Sequence, residues 1–402
     1  MKWLYNIVEK LRPQFDEGGK LHAFHSLFDG FDTFLFTPNT TAKRIGAQVH
    51  DATDSKRTMI IVVLALVPAM LFGMYNVGYQ HFLATGQTAG FWQTFAFGLL
   101  AVLPLILVSY IVGLGIEFTV AQWKKEEIAE GFLVTGFIIP MIVPIDTPLW
   151  MVAIATAFAV IFAKEIFGGT GYNIFNVALI TRAFLFFAYP SKMSGDQVFV
   201  RTDGTWGWDG GHALVDGFSG ATPLGQLATA DGAQVTLTNT VGNPMTVLDA
   251  MNGLYPGSVG ETCVWAILLG ACLLLMTGVA SWKTMLSVFL GGGLMAFVLN
   301  QTGSANAAAN TPWYLHLMLG GFAFGAVFMA TDPVTSARTE TGKWIYGLLI
   351  GCLAILVRCF NPGYPEGMML AILFGNLCAP LIDWCVVKVN INKRMKRSTV
   401  KK

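Results

Sequence analysis

The chain has 402 residues, 54% of them apolar and only 12% charged, with a formal net charge of +1. Soluble proteins carry roughly 25% charged residues, so this balance excludes a soluble enzyme and points to an all-α integral membrane protein. No nucleic-acid partner is expected.

In chain order, residues 1–57 form a polar, aromatic N-terminal segment with Phe24, Phe28, Phe31, Phe34, Phe36, His22, His25 and Pro38. Its aromatic content is too high for a disordered tail, and it is expected to pack along the inner membrane surface or against a partner subunit. Lys2, Glu9, Lys10, Arg12, Asp16 and Glu17 interrupt any apolar core in the first twenty residues, so no cleavable signal peptide is expected. Apolar runs follow near 58–79, 91–118, 131–145, 148–163, 174–190, 262–280, 284–299, 314–330, 344–359 and 367–387. Each is about long enough to cross a ~30 Å hydrocarbon core as a helix, which predicts ten spans. The short runs at 131–145 and 148–163 leave room for a hairpin or half-helices.

Positive flanks are retained on the cytoplasmic side. With ten spans and the N-terminus inside, 21 of the 25 Lys and Arg residues fall on the inner side. Only Lys192 and Arg201 fall outside, while Arg182 and Arg358 lie within spans. Residues 58–190 are thus read as a first five-span repeat, 191–260 as an external loop with six aspartates, 261–389 as a second repeat, and 390–402 as a basic cytoplasmic tail. An odd number of spans per half inverts one half against the other, as in many transport folds. Gly131-Phe132 and Gly321-Phe322, followed by Asp146-Thr147-Pro148 and Asp332-Pro333, support that symmetry.

Non-helical backbone at membrane depth survives only where protein or a cavity satisfies it, so helix breaks mark candidate sites. They fall at Gly168–Asn173 with Asn176, at Thr331–Ser336, at Tyr255–Glu261 and at Asn361–Gly367. The glycine turn at 168–171 either receives a polar cofactor on free backbone N–H groups or lets two helices meet closely.

The external loop contains Asp216-Gly217-Phe218-Ser219-Gly220-Ala221-Thr222, a hydroxyl among very small neighbours and beside a carboxylate. Composition alone produces Asp-x-x-[Ser/Thr]-Gly-Ala-[Ser/Thr] in fewer than about one chain in a hundred of this length. The motif resembles the flavin-attachment motif of bacterial redox pumps, in which a dedicated transferase links FMN through its phosphate to the last Thr. Glu130-Gly131-Phe132, Lys164–Asn173, Arg182–Pro190 and Ala330–Ser336 extend the resemblance to the B subunits of Na+-translocating NADH:quinone oxidoreductases. The D subunit of the related Rnf-type complex shares the flavin motif, and the aromatic N-terminal extension favours the quinone reductase.

The resemblance implies a ten-helix subunit in the bacterial inner membrane that carries covalent FMN at Thr222 and noncovalent riboflavin. It further implies a ubiquinone site toward the cytoplasm, in the region of Gly131, with electron flow from FMN through riboflavin to ubiquinone coupled to Na+ export. Partner subunits would oxidise NADH. One departure stands out: the usual Asn-Pro after the glycine turn is Asn176-Val177 here.

Intramembrane ionisable residues are costly and default to functional candidates. Glu130 and Asp383 resemble acidic positions associated with sodium handling in the family; the alternative is a helix-end carboxylate paired with Lys124, Lys125 or Lys388. Glu117, Glu165, Asp332 and Glu261 are weaker candidates. Arg182 and Arg358 either anchor the structure or contact a cofactor's polar edge. Gly169, Thr170, Asn173 and Asn176 offer donors and acceptors to a flavin ring edge, with Phe184, Phe186 and Phe187 expected against its face. The six cysteines read as small buried hydrophobes. A channel or carrier without redox chemistry remains a competing reading of the same fold signature. A haem reductase is disfavoured, because of six histidines only His316 lies near a predicted span interior.

Overall fold

The computed structural model describes residues 2–15, 28, 36, 55–124, 131–194, 198–206, 208–230, 232–304 and 306–399. Glu130 and Lys125 lie outside the described residues. The chain opens with α1 (Lys2–Phe15), whose Tyr5 meets Phe36 edge-on at 5.3 Å and whose Phe15 stacks on Phe28 at 4.5 Å. The first half then comprises α2 (Ser55–Ala84), α3 (Phe91–Lys124), α4 (Phe132–Ile142), α5 (Leu149–Ala163) and α6 (Val177–Ala188). Two short helices, α7 (Pro223–Ala228) and α8 (Val247–Asn252), lie in the loop between the halves. The second half contains α9 (Val264–Met276), α10 (Trp282–Asn300), α11 (Ala307–Asn310), α12 (Trp313–Met318), α13 (Phe322–Phe324), α14 (Glu340–Phe360) and α15 (Met368–Thr399).

Every one of the ten apolar runs is helical, but they are not equal. Among the described residues six helices are long and apolar enough to cross a membrane by length and composition. At 11, 12 and 13 residues, α4, α6 and α9 are shorter than the ~20 residues a full span needs. The run at 314–330 is broken: α12 stops at Met318, Leu319–Gly321 leave the helix, and α13 resumes and widens into a π-turn over Gly325–Met329. Such interruptions require internal partners, and Arg358 supplies them by donating to the carbonyls of His316 (2.5 Å) and Leu319 (3.0 Å).

The two halves repeat one packing device. In α3, a Cβ on Gly113 would lie 1.8 Å from the ring of Phe132, and Tyr110 one turn earlier meets that ring edge-on at 6.3 Å. In α10, a Cβ on Gly292 would lie 2.4 Å from the ring of Phe322, and Phe289 one turn earlier meets it edge-on at 5.7 Å. Each pair joins the second helix of its half to a phenylalanine that opens a later one, α4 in the first half and α13 in the second. Small residues also bring backbones together: a Cβ on Gly98 would strike the Met74 carbonyl and one on Gly351 the Val288 carbonyl. Without a hydrophobic drive between helices in lipid, such close approach is what packs them.

The loop between the halves is tied to α2. Val215 N–H donates to Ala84 O at 2.9 Å, Asn76 Nδ2 to Tyr255 O at 3.1 Å, and Thr240 Oγ1 to Gln80 Oε1. His81 is fully buried near the same end of α2, stacked on Phe97 at 3.9 Å, with Nδ1 2.7 Å from Arg201 O. This corrects the expectation that His316 alone is buried within a span: α2 continues past the apolar run at 58–79 and carries His81 inward.

Candidate functional site

Gly217 takes a left-handed φ of 78°, a conformation that glycine adopts without a Cβ penalty, and this turns the chain from exposed Asp216 into the small-residue stretch. Ser219 N–H donates to Thr240 O at 3.2 Å, and Ser219 Oγ accepts from Ala221 N–H at 3.4 Å. Thr222 then caps α7, its Oγ1 accepting from Gly225 N–H at 3.1 Å. Gln226 locks the segment in place. Its amide donates to Ala221 O (3.2 Å) and Thr238 O (2.9 Å), while its carbonyl oxygen accepts from Thr238 N–H at 2.9 Å. Thr222 is half-buried and lines a cleft of about 250 Å³ between α7, Phe186, Met193, Phe199 and the turn at Pro362–Glu366. A Cβ on Gly225 would come within 3.3 Å of Thr222 Oγ1, so the glycine leaves the hydroxyl room for a substituent. A hydroxyl at the rim of a cleft is the group that a phosphoester would need.

Beside this cleft lies a buried charge cluster. Arg182 pairs with Glu366, lies 3.8 Å from Glu261 and donates to Ser258 Oγ at 3.3 Å. Arg358 donates through Nε to Glu366 O at 2.9 Å and sits over the Phe322 ring at 5.6 Å. The two arginines, 176 positions apart, thus meet around one glutamate. Glu366 was not singled out from sequence; only its place in the Asn361–Gly367 helix break hinted at it.

A second cavity, of about 100 Å³, is bounded by the start of α2, by α4, by the end of α9 and by the loops after α5 and α13. It collects Gly131, Lys164, Thr170, Asn173, Asn176 and Asp332. The glycine turn before it has φ values of 113°, 93° and 95° at Gly168, Gly169 and Gly171, which L side chains rarely adopt. Gly169 and Gly171 face open space and Gly169 is absent from the cavity wall. Thr170 Oγ1 is buried without a hydrogen-bond partner among the described residues. Such an orphan suits a ligand with polar edges. Asn176 caps α6, accepting from Ala178 N–H at 3.0 Å and donating to Asp332 Oδ2 at 3.4 Å across the two halves. Asp332 also accepts from Val334 N–H and Thr335 Oγ1, both at 3.0 Å.

The expected aromatic partners of that cavity lie elsewhere. Phe184 stacks on Phe158 at 4.7 Å, Phe187 is 71% exposed, and Phe186 lines the Thr222 cleft. The cause is geometric: the cavity lies at the start of α6, and at 1.5 Å per residue its phenylalanines are ~10–15 Å further along.

Among the described residues the other acidic candidates are engaged. Asp383 accepts from Arg338 N–H (2.8 Å), Thr339 N–H (3.0 Å) and Thr339 Oγ1 (2.5 Å), holding the loop before α14. Its expected lysine partner, Lys388, instead lies over the Trp384 ring at 4.7 Å. Glu117 pairs with Lys164, both buried in the bundle, and Glu165 lies 3.4 Å from Lys124.

Apolar helices, broken spans and buried ion pairs together define a multi-pass helical membrane protein with polar sites between its helices. The chain belongs to the NQR2, RnfD, RnfE family, whose model matches residues 43–392. It is 44% identical to the B subunit of the Na(+)-translocating NADH-quinone reductase of Pseudomonas aeruginosa strain LESB58, an alignment covering 98% of this chain and 99% of that one. The B subunits of the same reductase from Azotobacter vinelandii (43% identity, 97% and 98% covered) and Chromohalobacter salexigens (44%, 98% and 96%) are similar over the same extent.

Proposed function

We propose that this chain is the B subunit of a Na+-translocating NADH:quinone reductase in a bacterial inner membrane, with FMN esterified to Thr222 by a flavin transferase and riboflavin held in the region of Gly169, Thr170, Asn173 and Asn176. Bound there, the two flavins would supply the electron transfer that side chains lack, delivering electrons to ubiquinone in concert with Na+ export. The Thr222 hydroxyl, standing at a cleft inside the Asp216–Thr222 motif, carries this reading.

The chain's own residues have distinct tasks. Thr222 provides the ester oxygen, Gly225 keeps it clear, and Gln226 fixes the loop that presents it. Thr170, Asn173 and Asn176 would offer the inner cavity's hydrogen bonds, with Gly169 setting the turn, and Gly131 lies in the ubiquinone region. Glu130 and Asp383 are assigned to the sodium pathway. NADH oxidation falls to partner subunits, both termini are placed in the cytoplasm, and residues 191–260 are placed in the periplasm. The matched Gly113–Phe132 and Gly292–Phe322 contacts support two inverted five-helix repeats over 58–190 and 261–389. Similarity to B subunits at 44% identity over nearly the full length supports the quinone reductase over an Rnf-type D subunit or a non-redox channel.

Mass spectrometry of the Thr222 peptide from protein matured in its native host tests the assignment. An FMN-sized adduct is expected, and Thr222→Ala should lose covalent flavin and quinone reduction while inserting normally. Covalent flavin retained in that variant refutes it.

A further inference from the structure

At the ends of α10 and α14 that the positive flanks assign to the inner side, two lysines are gathered rather than dispersed. Lys283 and Lys343 both pair with Glu340, Lys343 at 2.7 Å. Their side chains are only 29% and 23% exposed, against 63% for the glutamate. An ammonium group has three donors, so one carboxylate cannot use up two of them, and the cluster keeps a positive charge with N–H bonds to spare. Both helices also begin here, capped by Ser281 and Thr339, and their N-terminal dipoles add partial positive charge. Trp282 and Trp344, each next to one of these lysines in sequence, meet edge-on at 6.0 Å, and Lys283 Nζ lies 5.7 Å from the Trp282 ring. Tryptophan is the side chain that settles at headgroup level. Leu286 and Leu290, about one and two turns further along the same face of α10, are exposed. The surface thus runs from cations through an indole pair to bare leucine, the order of parts that complements an anionic phospholipid from phosphate to acyl chain.

We propose that these ends of α10 and α14 form a binding site for an anionic phospholipid of the inner leaflet. Its phosphate is held by Lys283 and Lys343, its glycerol backbone lies against Trp282 and Trp344, and an acyl chain follows Leu286 and Leu290. Glu340 draws the two ammonium groups to one point. Basic clusters between transmembrane helices on the cytoplasmic side bind such headgroups. The site depends on the chain's membrane placement alone and is independent of any flavin.

The test uses the full chain, purified in detergent, stripped of lipid and mixed with equal amounts of phosphatidylglycerol and phosphatidylcholine of the same acyl composition. Native mass spectrometry should show phosphatidylglycerol retained several-fold over phosphatidylcholine, and phosphatidylglycerol alone should raise the unfolding temperature. Lys283→Gln with Lys343→Gln should lose both effects. Lys393→Gln with Arg394→Gln, which removes the same charge from the exposed end of α15, should keep both. Trp282→Leu leaves every charge in place and should weaken phosphatidylglycerol retention severalfold, an outcome that stands even where the lysine double variant fails to fold. Equal retention of the two lipids by the wild type overturns the site, as does a lysine double variant that keeps the preference or a tail variant that loses it to the same extent. Inorganic phosphate stabilising the chain as much as phosphatidylglycerol at the same concentration would make this a site for free anions and overturn the lipid.

Discussion

Removing one member of the Glu117–Lys164 pair should damage the bundle more than removing both. The two side chains are 4% and 5% exposed and in direct contact between α3 and the end of α5. Replacing Glu117 with Leu leaves the Lys164 ammonium without its counter-charge, and Lys164→Met strands the carboxylate. Breaking a buried pair in this way costs about 3–5 kcal/mol, whereas an apolar pair of similar volume is near neutral or stabilising by about 1–4 kcal/mol. The single variants should thus lose a factor of roughly 10²–10⁴ in the folding equilibrium, and the double variant Glu117→Leu with Lys164→Met should recover most of it. Thermal unfolding with a thiol-reactive fluorogenic dye reads this out through Cys263 and Cys359, which are buried, whereas Cys272 and Cys385, against the expectation of six buried cysteines, are exposed on their helices. A double variant as unstable as the sum of the singles would refute the reasoning. Lys164 also lines the inner cavity, so restored stability without restored turnover separates its packing role from a ligand-facing one.

A methyl group on Gly225 would crowd Thr222 Oγ1 at 3.3 Å, so Gly225→Ala should lower covalent flavin per chain, read by in-gel fluorescence, without lowering the unfolding temperature. Gly113→Ala and Gly292→Ala should each destabilise the bundle by about 1–3 kcal/mol or more through overpacking against Phe132 and Phe322. Gly115→Ala, with nothing within 4 Å of the added carbon, is the control, and equal unfolding temperatures for all three would refute the contact. Glu130→Gln and Asp383→Asn should weaken the sodium dependence of turnover more than NADH oxidation by the partner subunit. For Asp383→Asn, a fall in stability with an unchanged sodium titration would confine the residue to holding the Arg338–Thr339 turn.

The apolar helices could be read from hydropathy because the apolar runs are continuous, a signal that needs no knowledge of neighbours, although only six of them are long enough to span among the described residues. Where helices end was equally legible: Gly168, Gly169 and Gly171 adopt positive φ, and Asn176 is a cap by residue type. What failed were inferences about direction and distance. Phe184, Phe186 and Phe187 are adjacent to the inner turn in sequence, yet a helix carries them away from it and fans them over three faces. Glu366 and Gln226 escaped notice because their roles depend on partners 184 and 12 positions away, Arg182 and Thr238. The break within 314–330 was hidden in an unbroken apolar run, since the group that satisfies its carbonyls is Arg358 from another helix.

Helix α6 begins at Asn176 in one cavity and ends beside the other cleft, after 12 residues. At 1.5 Å per residue that is a strut of about 18 Å, made of a single hydrogen-bonded rod. Inserting one residue into it would turn its far end by about 100°, swinging Arg182 away from Glu366 and Phe186 away from Tyr364 together. The gauge between the two sites is therefore set in whole residues, and this short segment should tolerate exchanges of side chain far better than any change in its length.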